Sequence, residues 1–177
     1  DFRIGKNRFG RWKYTKPDRI IAVSDGVKHV LQGGGVDATR IHVVHDGVEA
    51  QSKPTQDDGR VAFCHAHGID PSHTLVLSAG ALVDHKAHRV LVSAAASVLN
   101  SHPDTHFIIA GKGPNRDDLQ AQVVAEGLGE HVHLIGHKSD LWSIMHHCDI
   151  FCHPSVEEGM GSVVVEAMLA ELPVVAT

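Results

Sequence analysis

The sequence predicts an α/β protein built as a Rossmann-like parallel sheet flanked by helices. Two observations carry this prediction. Short β-branched runs alternate with longer segments of helical period, the pattern of strands joined by crossover helices. Several of the runs also end in glycine-rich turns that lead into a helical segment, as at the carboxyl edge of a parallel sheet.

In chain order, the strand candidates are RIIAV at 19–23, IHVV at 41–44, TLVLSAG at 74–80, HFIIAG at 106–111, HVHLIG at 131–136, DIFCH at 149–153 and PVVAT at 173–177. Each is too short for an ordinary helix. Between them, the segment after Ser24 carries Val27, Val30 and Leu31 at helical spacing and stops at the three glycines 33–35. A second helix is expected over 57–67, ending at Gly68. A third, over 86–99, has Val90, Leu91, Ala94, Ala95, Val98 and Leu99 on one stripe and ends before Asn100 and Pro103. Helices are also expected near 115–126, 139–147 and 162–171, the last with Ser162 as its cap. The polar stretch 47–59, with Pro54 and no period, reads as a connection between two units. After it the order is β-α-β-α-β-α-β-α-β; before it lie a strand, a helix and a returning strand.

Composition narrows the function. The chain has 177 residues, 42% of them hydrophobic, enough for one ordinary core. A formal charge of −5 argues against nucleic acid as a partner. The basic opening at 3–16 is the exception, and a peripheral membrane contact is expected there if anywhere. Three cysteines in no scaffold pattern suit a reducing compartment, and no run approaches the ~18 apolar residues of a membrane helix. The expected location is therefore the cytoplasm, with membrane association through the basic segment. Sixteen histidines raise metal binding, above all around HHCDIFCH at 146–153, where Cys148 and Cys152 would share one strand face. The apolar Ile150 and Phe151 between them mark a buried strand instead, and HAH and HVH are scattered without zinc spacing. No metal site is expected.

Four strand ends are candidates for a ligand: SAGAL at 78–82, AGKGP at 110–114, IGHKSD at 135–140 and PSVEEGMGS at 154–162. Glycine in such turns lets backbone N–H groups approach a phosphate or sugar. GKGP lacks the third glycine of a dinucleotide fingerprint. Lys86 is expected at the start of a helix, where the dipole disfavours a cation unless an anion sits in the cleft. Glu158 and Glu166 flank a Gly-Met-Gly-Ser turn. Two such carboxylates either perform acid–base work or hold hydroxyls as charged acceptors.

Taken together, the residues from 17 to 177 resemble the retaining glycosyltransferases of family 4, which have the two-domain GT-B architecture. The most specific part is the E-x7-E motif, Glu158 to Glu166, with Pro154-Ser155 before it and Ala167-Met168 after it. The resemblance implies that residues 1–47 are a remnant of an acceptor domain, 48–59 a linker, and 60–177 a nucleotide-sugar-binding domain incomplete at its C-terminus. It implies that Lys86 contacts the donor diphosphate, that Gly136, His137 and Lys138 hold the base, and that Glu166 takes the ribose hydroxyls. Glu158, Gly159, Met160, Gly161 and Ser162 would hold the donor sugar or adjoining phosphate, with Gly80, Gly111 and Gly113 in the donor cleft. Glu158 and Lys86 would be the catalytic pair.

The implied reaction moves a hexose from a UDP- or GDP-sugar to a glycan or lipid-linked acceptor, with retention and with no cofactor. The segment alone would be inactive. A sugar-nucleotide epimerase of the same architecture and a non-catalytic sugar-nucleotide-binding module are the alternatives. Three positions depart from the family pattern: Ala81 stands for its arginine, Ala87 for its glycine after the lysine, and Asp46 for its asparagine. Arg89 is the candidate to replace the missing arginine.

Overall fold

The computed structural model describes residues 8–51 and 59–177. Part of the basic opening and most of the expected connection at 48–59 lie outside the described residues. The chain divides into two compact units. The first takes residues up to Val48 with Glu158–Ser162, and the second takes the rest up to Glu157 and from Val163 to Thr177.

The first unit contains helix α1 (Arg8–Thr15), strand β1 (Ile20–Ala22), helix α2 (Asp25–Gly33) and strand β2 (Ile41–Val43). β1 and β2 pair in parallel, Ile20 opposite Ile41. Ser24 caps α2, its hydroxyl oxygen accepting from the Val27 N–H at 3.2 Å, which satisfies a donor the helix leaves unpaired. Val27 and Leu31 then face inward with Ala22, Val36 and Ile41 as the apolar centre.

The second unit runs α3 (Gly59–Ala66), β3 (Thr74–Ala79), α4 (His88–Leu99), β4 (Thr105–Ala110), α5 (Arg116–Ala125), β5 (Val132–Gly136), α6 (Leu141–Met145), β6 (Ile150–His153), α7 (Ser162–Leu169) and β7 (Val174–Ala176). Its five strands are all parallel, in the order β5-β4-β3-β6-β7. The expected parallel α/β architecture is therefore present. Alternation along each strand sorts the side chains to two faces. Leu75, Leu77, Ile108 and Phe151 join Cys64, Met145 and Ala167 on one side, under α3, α6 and α7. Val76, Phe107, Ile109 and Val132 join Leu91, Val92, Leu119 and Val123 on the other, under α4 and α5. The near-continuous apolar runs of β3 and β4 follow from burial on both faces.

Several local expectations are corrected. Lys86 does not open a helix: Asp84–Lys86 forms a 3-10 turn, and Ala87, at φ 51° and ψ 31°, separates it from α4. The left-handed residue breaks the helical path, so the dipole of α4 begins after the lysine. Ser162 is the first residue of α7 rather than its cap, preceded by Gly161 at φ 69°. The helix expected at 139–147 shortens to five residues. Asp140 caps it through the Ser143 N–H at 3.0 Å, and at its far end the Trp142 carbonyl lies 2.9 Å from His146 Nδ1.

Cys148 and Cys152 lie on opposite faces of the sheet, because Cys148 precedes β6 and strand alternation does not relate the two. Burial pushes the Cys148 thiol up to about 12, so it behaves as a packing residue. Histidines scattered in the sequence are grouped by strand register at the amino ends of β3, β4 and β5. His73 Nδ1 lies 3.0 Å from His106 Nε2, and His106 Nδ1 lies 3.1 Å from His133 Nε2. Among the described residues, no three His, Cys, Asp or Glu side chains are placed to hold a metal ion.

Candidate functional site

The strand order places the two halves of the second unit back to back at β3 and β6. Chain leaving β3 crosses one face toward β4, whereas chain leaving β6 crosses the other toward β7. The loops diverge there and leave a crevice at the carboxyl ends, where open α/β sheets take ligands.

Hydrogen bonds fix the walls of that crevice. The His85 carbonyl, in the 3-10 turn after β3, accepts from the Val156 N–H at 2.8 Å and from Ser155 Oγ at 3.0 Å. Thr177 Oγ1 donates to the Ser155 carbonyl at 2.7 Å, and the Thr177 N–H to His153 O at 3.2 Å. Ser155 thus joins the ends of β3, β6 and β7, which is a local reason for the Pro154-Ser155 pair. On the other flank, Gly80 N–H donates to Ala110 O at 3.0 Å and Gly111 N–H to Gly136 O at 2.9 Å, so the glycine turns continue the ladder beyond the strands.

The glycines serve different needs. A side chain at Gly111 would fall far inside contact distance of the Gly80 carbonyl oxygen, and one at Gly113 would strike the Leu82 backbone. Both permit loop-to-loop approach. A Cβ at Gly80 would sit in ordinary contact with Lys86 Cδ at 3.7 Å and with His88 Nε2 at 3.9 Å, so the glycine stands between these two side chains and the strand end. Gly136, at φ 74°, needs glycine for its backbone and meets nothing within 4 Å. His137 and Lys138 follow it in exposed positions. They lie two strands from β3, about 10 Å at ordinary strand spacing.

Lys86 is half-buried at the end of its turn, and Glu166 is half-buried on α7. Glu158, Gly159, Met160, Gly161 and Ser162 group with the first unit, where the Asp46 N–H meets Met160 Sδ at 3.2 Å. Ala81 and Arg89 are exposed, and Arg89 lines a cavity of about 290 Å³ with Val83, Val90, Leu119 and Val156.

Sequence reasoning gave no role to His88, and it reached Ser78, His153 and Ser155 only as members of longer stretches. Among the described residues they are four of the six buried polar ones, and all lie on β3, on β6 or in the segments just beyond their carboxyl ends. His88 Nδ1 lies 3.3 Å from Ser78 Oγ. Burial, reinforced by His153 and Lys86, lowers the His88 pKa to about 4, so the ring is neutral near pH 7. The one signal in the sequence was a histidine two residues after Lys86, at the start of an otherwise apolar stripe.

Comparison with known proteins agrees with this geometry. The model for "Glycosyl transferases group 1" matches residues 63–177, and that for "Glycosyltransferase Family 4" matches residues 1–52. A D-inositol 3-phosphate glycosyltransferase of Mycobacterium sp. (strain KMS) is 35% identical over 90% of this chain and 37% of its own length. A 2-deoxystreptamine glucosyltransferase of Streptomyces kanamyceticus is 34% identical over 94% of this chain and 44% of its own. The chain thus spans less than half the length of these relatives. Among solved structures, Anabaena Alr3699/HepE in complex with UDP-glucose superposes with a TM-score of 0.84 at 24% identity, covering 96% of this chain and 47% of that one. The fold and the two family matches together show that the chain belongs to the group 1 glycosyl transferases of GT-B architecture.

Proposed function

We propose that the second unit binds the sugar-nucleotide donor of a retaining glycosyltransferase, which moves a hexose from a UDP- or GDP-sugar to a glycan or lipid-linked acceptor. The observation that carries this reading is the convergence of Gly80, Lys86 and the Ser155 turn at the divergence of β3 and β6. A diphosphate there would meet the lysine ammonium and strand-end N–H groups. Such fixed positive ends stabilise charge developing on a leaving phosphate. The base would extend toward Gly136, His137 and Lys138, and Glu166 would hold ribose hydroxyls as a charged acceptor.

Glu158 and the turn through Gly159, Met160, Gly161 and Ser162 are assigned to the donor sugar. On this reading the glutamates orient the donor, and the leaving phosphate takes the acceptor proton. Gly111 and Gly113 shape the cleft by letting its loops approach. No cofactor or metal is assigned a role. A peripheral membrane contact belongs, on this proposal, to the basic segment 3–16; no helix among the described residues is long and apolar enough to cross a membrane. The relatives are more than twice as long, so the 177 residues alone are expected to bind nucleotide without transferring sugar.

The test is an NMR titration of the 15N-labelled chain with UDP, GDP and their glucose or mannose conjugates. Shifts clustered at Gly80, Lys86 and Gly136, and weakened by Lys86→Ala and Glu166→Ala, are the expected result. A response that neither substitution alters refutes the assignment.

A further inference from the structure

The carboxyl end of β3 holds a polar atom that the fold leaves unsatisfied. Among the described residues, three buried side-chain atoms lack a hydrogen-bond partner: His88 Nε2, Gln122 Oε1 and His146 Nε2. Gln122 and His146 are themselves half-exposed, whereas His88 is 4% exposed. His88 is therefore the one fully buried residue of the three. The Gly80 and Ala81 backbone pulls weakly toward protonation of its ring but gives Nε2 no hydrogen bond.

The place of that atom is specific. Nε2 lies 3.9 Å from the point a Gly80 Cβ would occupy, on the side-chain side of the glycine, and no atom beyond Gly80 and its chain neighbours comes nearer that point than Lys86 Cδ at 3.7 Å. Nε2 is closed to solvent in the unliganded fold. A ligand oxygen brought to it past Gly80 would stand beside the lysine stem, against the strand-end backbone, and a small shift of the Lys86 or His88 side chain would bring it to hydrogen-bond distance from the imidazole.

We propose that His88 is a phosphate-binding residue of the donor site, its Nε2–H donating to an oxygen of the diphosphate bound at the end of β3 beside Gly80. The assignment rests on the reading that this crevice takes the sugar nucleotide. Ser78, fully buried on β3, lies with its hydroxyl 3.3 Å from Nδ1. On this proposal the hydroxyl donates to Nδ1, which leaves the ring proton on Nε2. A neutral donor suits the place, because a second cation beside Lys86 inside the protein would be costly. His88 also supplies, from the next helix, a phosphate contact that Ala81 does not make.

The experiment uses the 177-residue chain with UDP and GDP as probes, and uridine and guanosine as phosphate-free controls. Long-range 1H–15N spectra follow the His88 ring nitrogens, identified by their loss in His88→Gln. A nucleoside diphosphate is expected to move the Nε2 signal, and the nucleosides are not. His88→Leu should weaken diphosphate binding about tenfold, the equivalent of one charged hydrogen bond, with nucleoside binding unchanged. His88→Gln, which returns an N–H near the same point, should recover most of the loss. Ser78→Ala should lower the fraction of the Nε2–H tautomer seen in the same spectra.

An Nε2 signal unmoved at saturating UDP and GDP, or diphosphate affinity unchanged in a folded His88→Leu chain, overturns the role of His88 and leaves the donor-site reading standing. Failure of the wild-type chain to bind either diphosphate at millimolar concentration overturns both. If His88→Leu does not fold, the Nε2 response of the wild type decides alone.

Discussion

Arg60→Ala should be among the most damaging single changes in the second unit, although the residue is remote from the candidate site. Its guanidinium donates to Pro71 O at 3.0 Å, to His147 O at 2.6 Å and to His73 O at 2.7 Å, and pairs with both Asp149 oxygens at 3.1 and 3.0 Å. Asp149 Oδ2 in turn accepts the Leu75 N–H at 2.8 Å, at the start of β3. One side chain thus ties α3 to the segment before β3 and to the entry of β6. The ion pair itself contributes little, since the side chains are 27% and 42% exposed, and pairs of this kind are worth about 0–1 kcal/mol. The three bonds to carbonyls weigh more. Each charge-assisted bond is worth about 1.5–3 kcal/mol when buried, and partial hydration of the freed carbonyls brings the expected total to about 2–4 kcal/mol. That corresponds to a fall in Tm of roughly 10 °C for a unit of this size. Urea denaturation followed by circular dichroism checks the value, with Arg60→Lys expected to recover less than half because a lysine has no planar fork. A double-mutant cycle with Asp149→Asn should give a coupling of about 1 kcal/mol or less. A loss under 0.5 kcal/mol for Arg60→Ala, or full rescue by lysine, would refute the reasoning.

Other outcomes follow from named positions. Ala87→Gly relieves a left-handed alanine at φ 51° but removes a buried methyl, so a net gain of up to ~1 kcal/mol is expected as a rise in the urea midpoint at unchanged slope. Gly111→Ala and Gly113→Ala force a methyl into backbone carbonyls and should cost more than ~3 kcal/mol or abolish soluble expression. Gly136→Ala, strained but unobstructed, should cost about 1 kcal/mol in the same denaturation assay. Stability should also fall in mild acid. Burial lowers His106, and burial with His106 and His67 lowers His133 to about 4, against an unfolded value near 6.5. Because the folded chain resists protonation, this stability is complete above about pH 6.5 and is lost as pH falls toward 4. His133→Asn should flatten the decline in urea midpoint between pH 7 and 5, and a slope equal to that of the wild type would remove the histidine group as its cause.

The order of elements was legible in the sequence because doubly buried parallel strands write themselves as short, nearly continuous apolar runs. Leu75 to Ala79 and His106 to Ala110 show this in β3 and β4. The break before α4 was not legible. Its signal would normally be a glycine, and here Ala87 takes the left-handed conformation instead, so the apolar stripe read straight through to Lys86. Gly111 and Gly113 were visible as glycine-rich turns, but their reason, the approach of the loop after β3, depends on strand pairing across thirty residues. The histidines of 73, 106, 131 and 133 showed no local spacing either, since register alone brings them together.

That register also separates the two ends of the sheet by chemistry. At the amino ends, polar groups satisfy one another: His106 has an imidazole within hydrogen-bond distance of each nitrogen, and Asp149 holds both Arg60 and the Leu75 N–H. Polar groups that hold one another in this way contribute to stability through the register of β3, β4 and β5. At the carboxyl ends the backbone opens through glycines, His88 keeps an unsatisfied nitrogen, and Lys86 stands beside the opening. An unmade buried hydrogen bond costs about 1–3 kcal/mol, a burden on the empty fold that a bound phosphate would lift. The histidines at the two ends of the sheet thus differ by position rather than by local spacing, and the proposals place His88 and His137, rather than the conspicuous cluster at 146–153, at the donor.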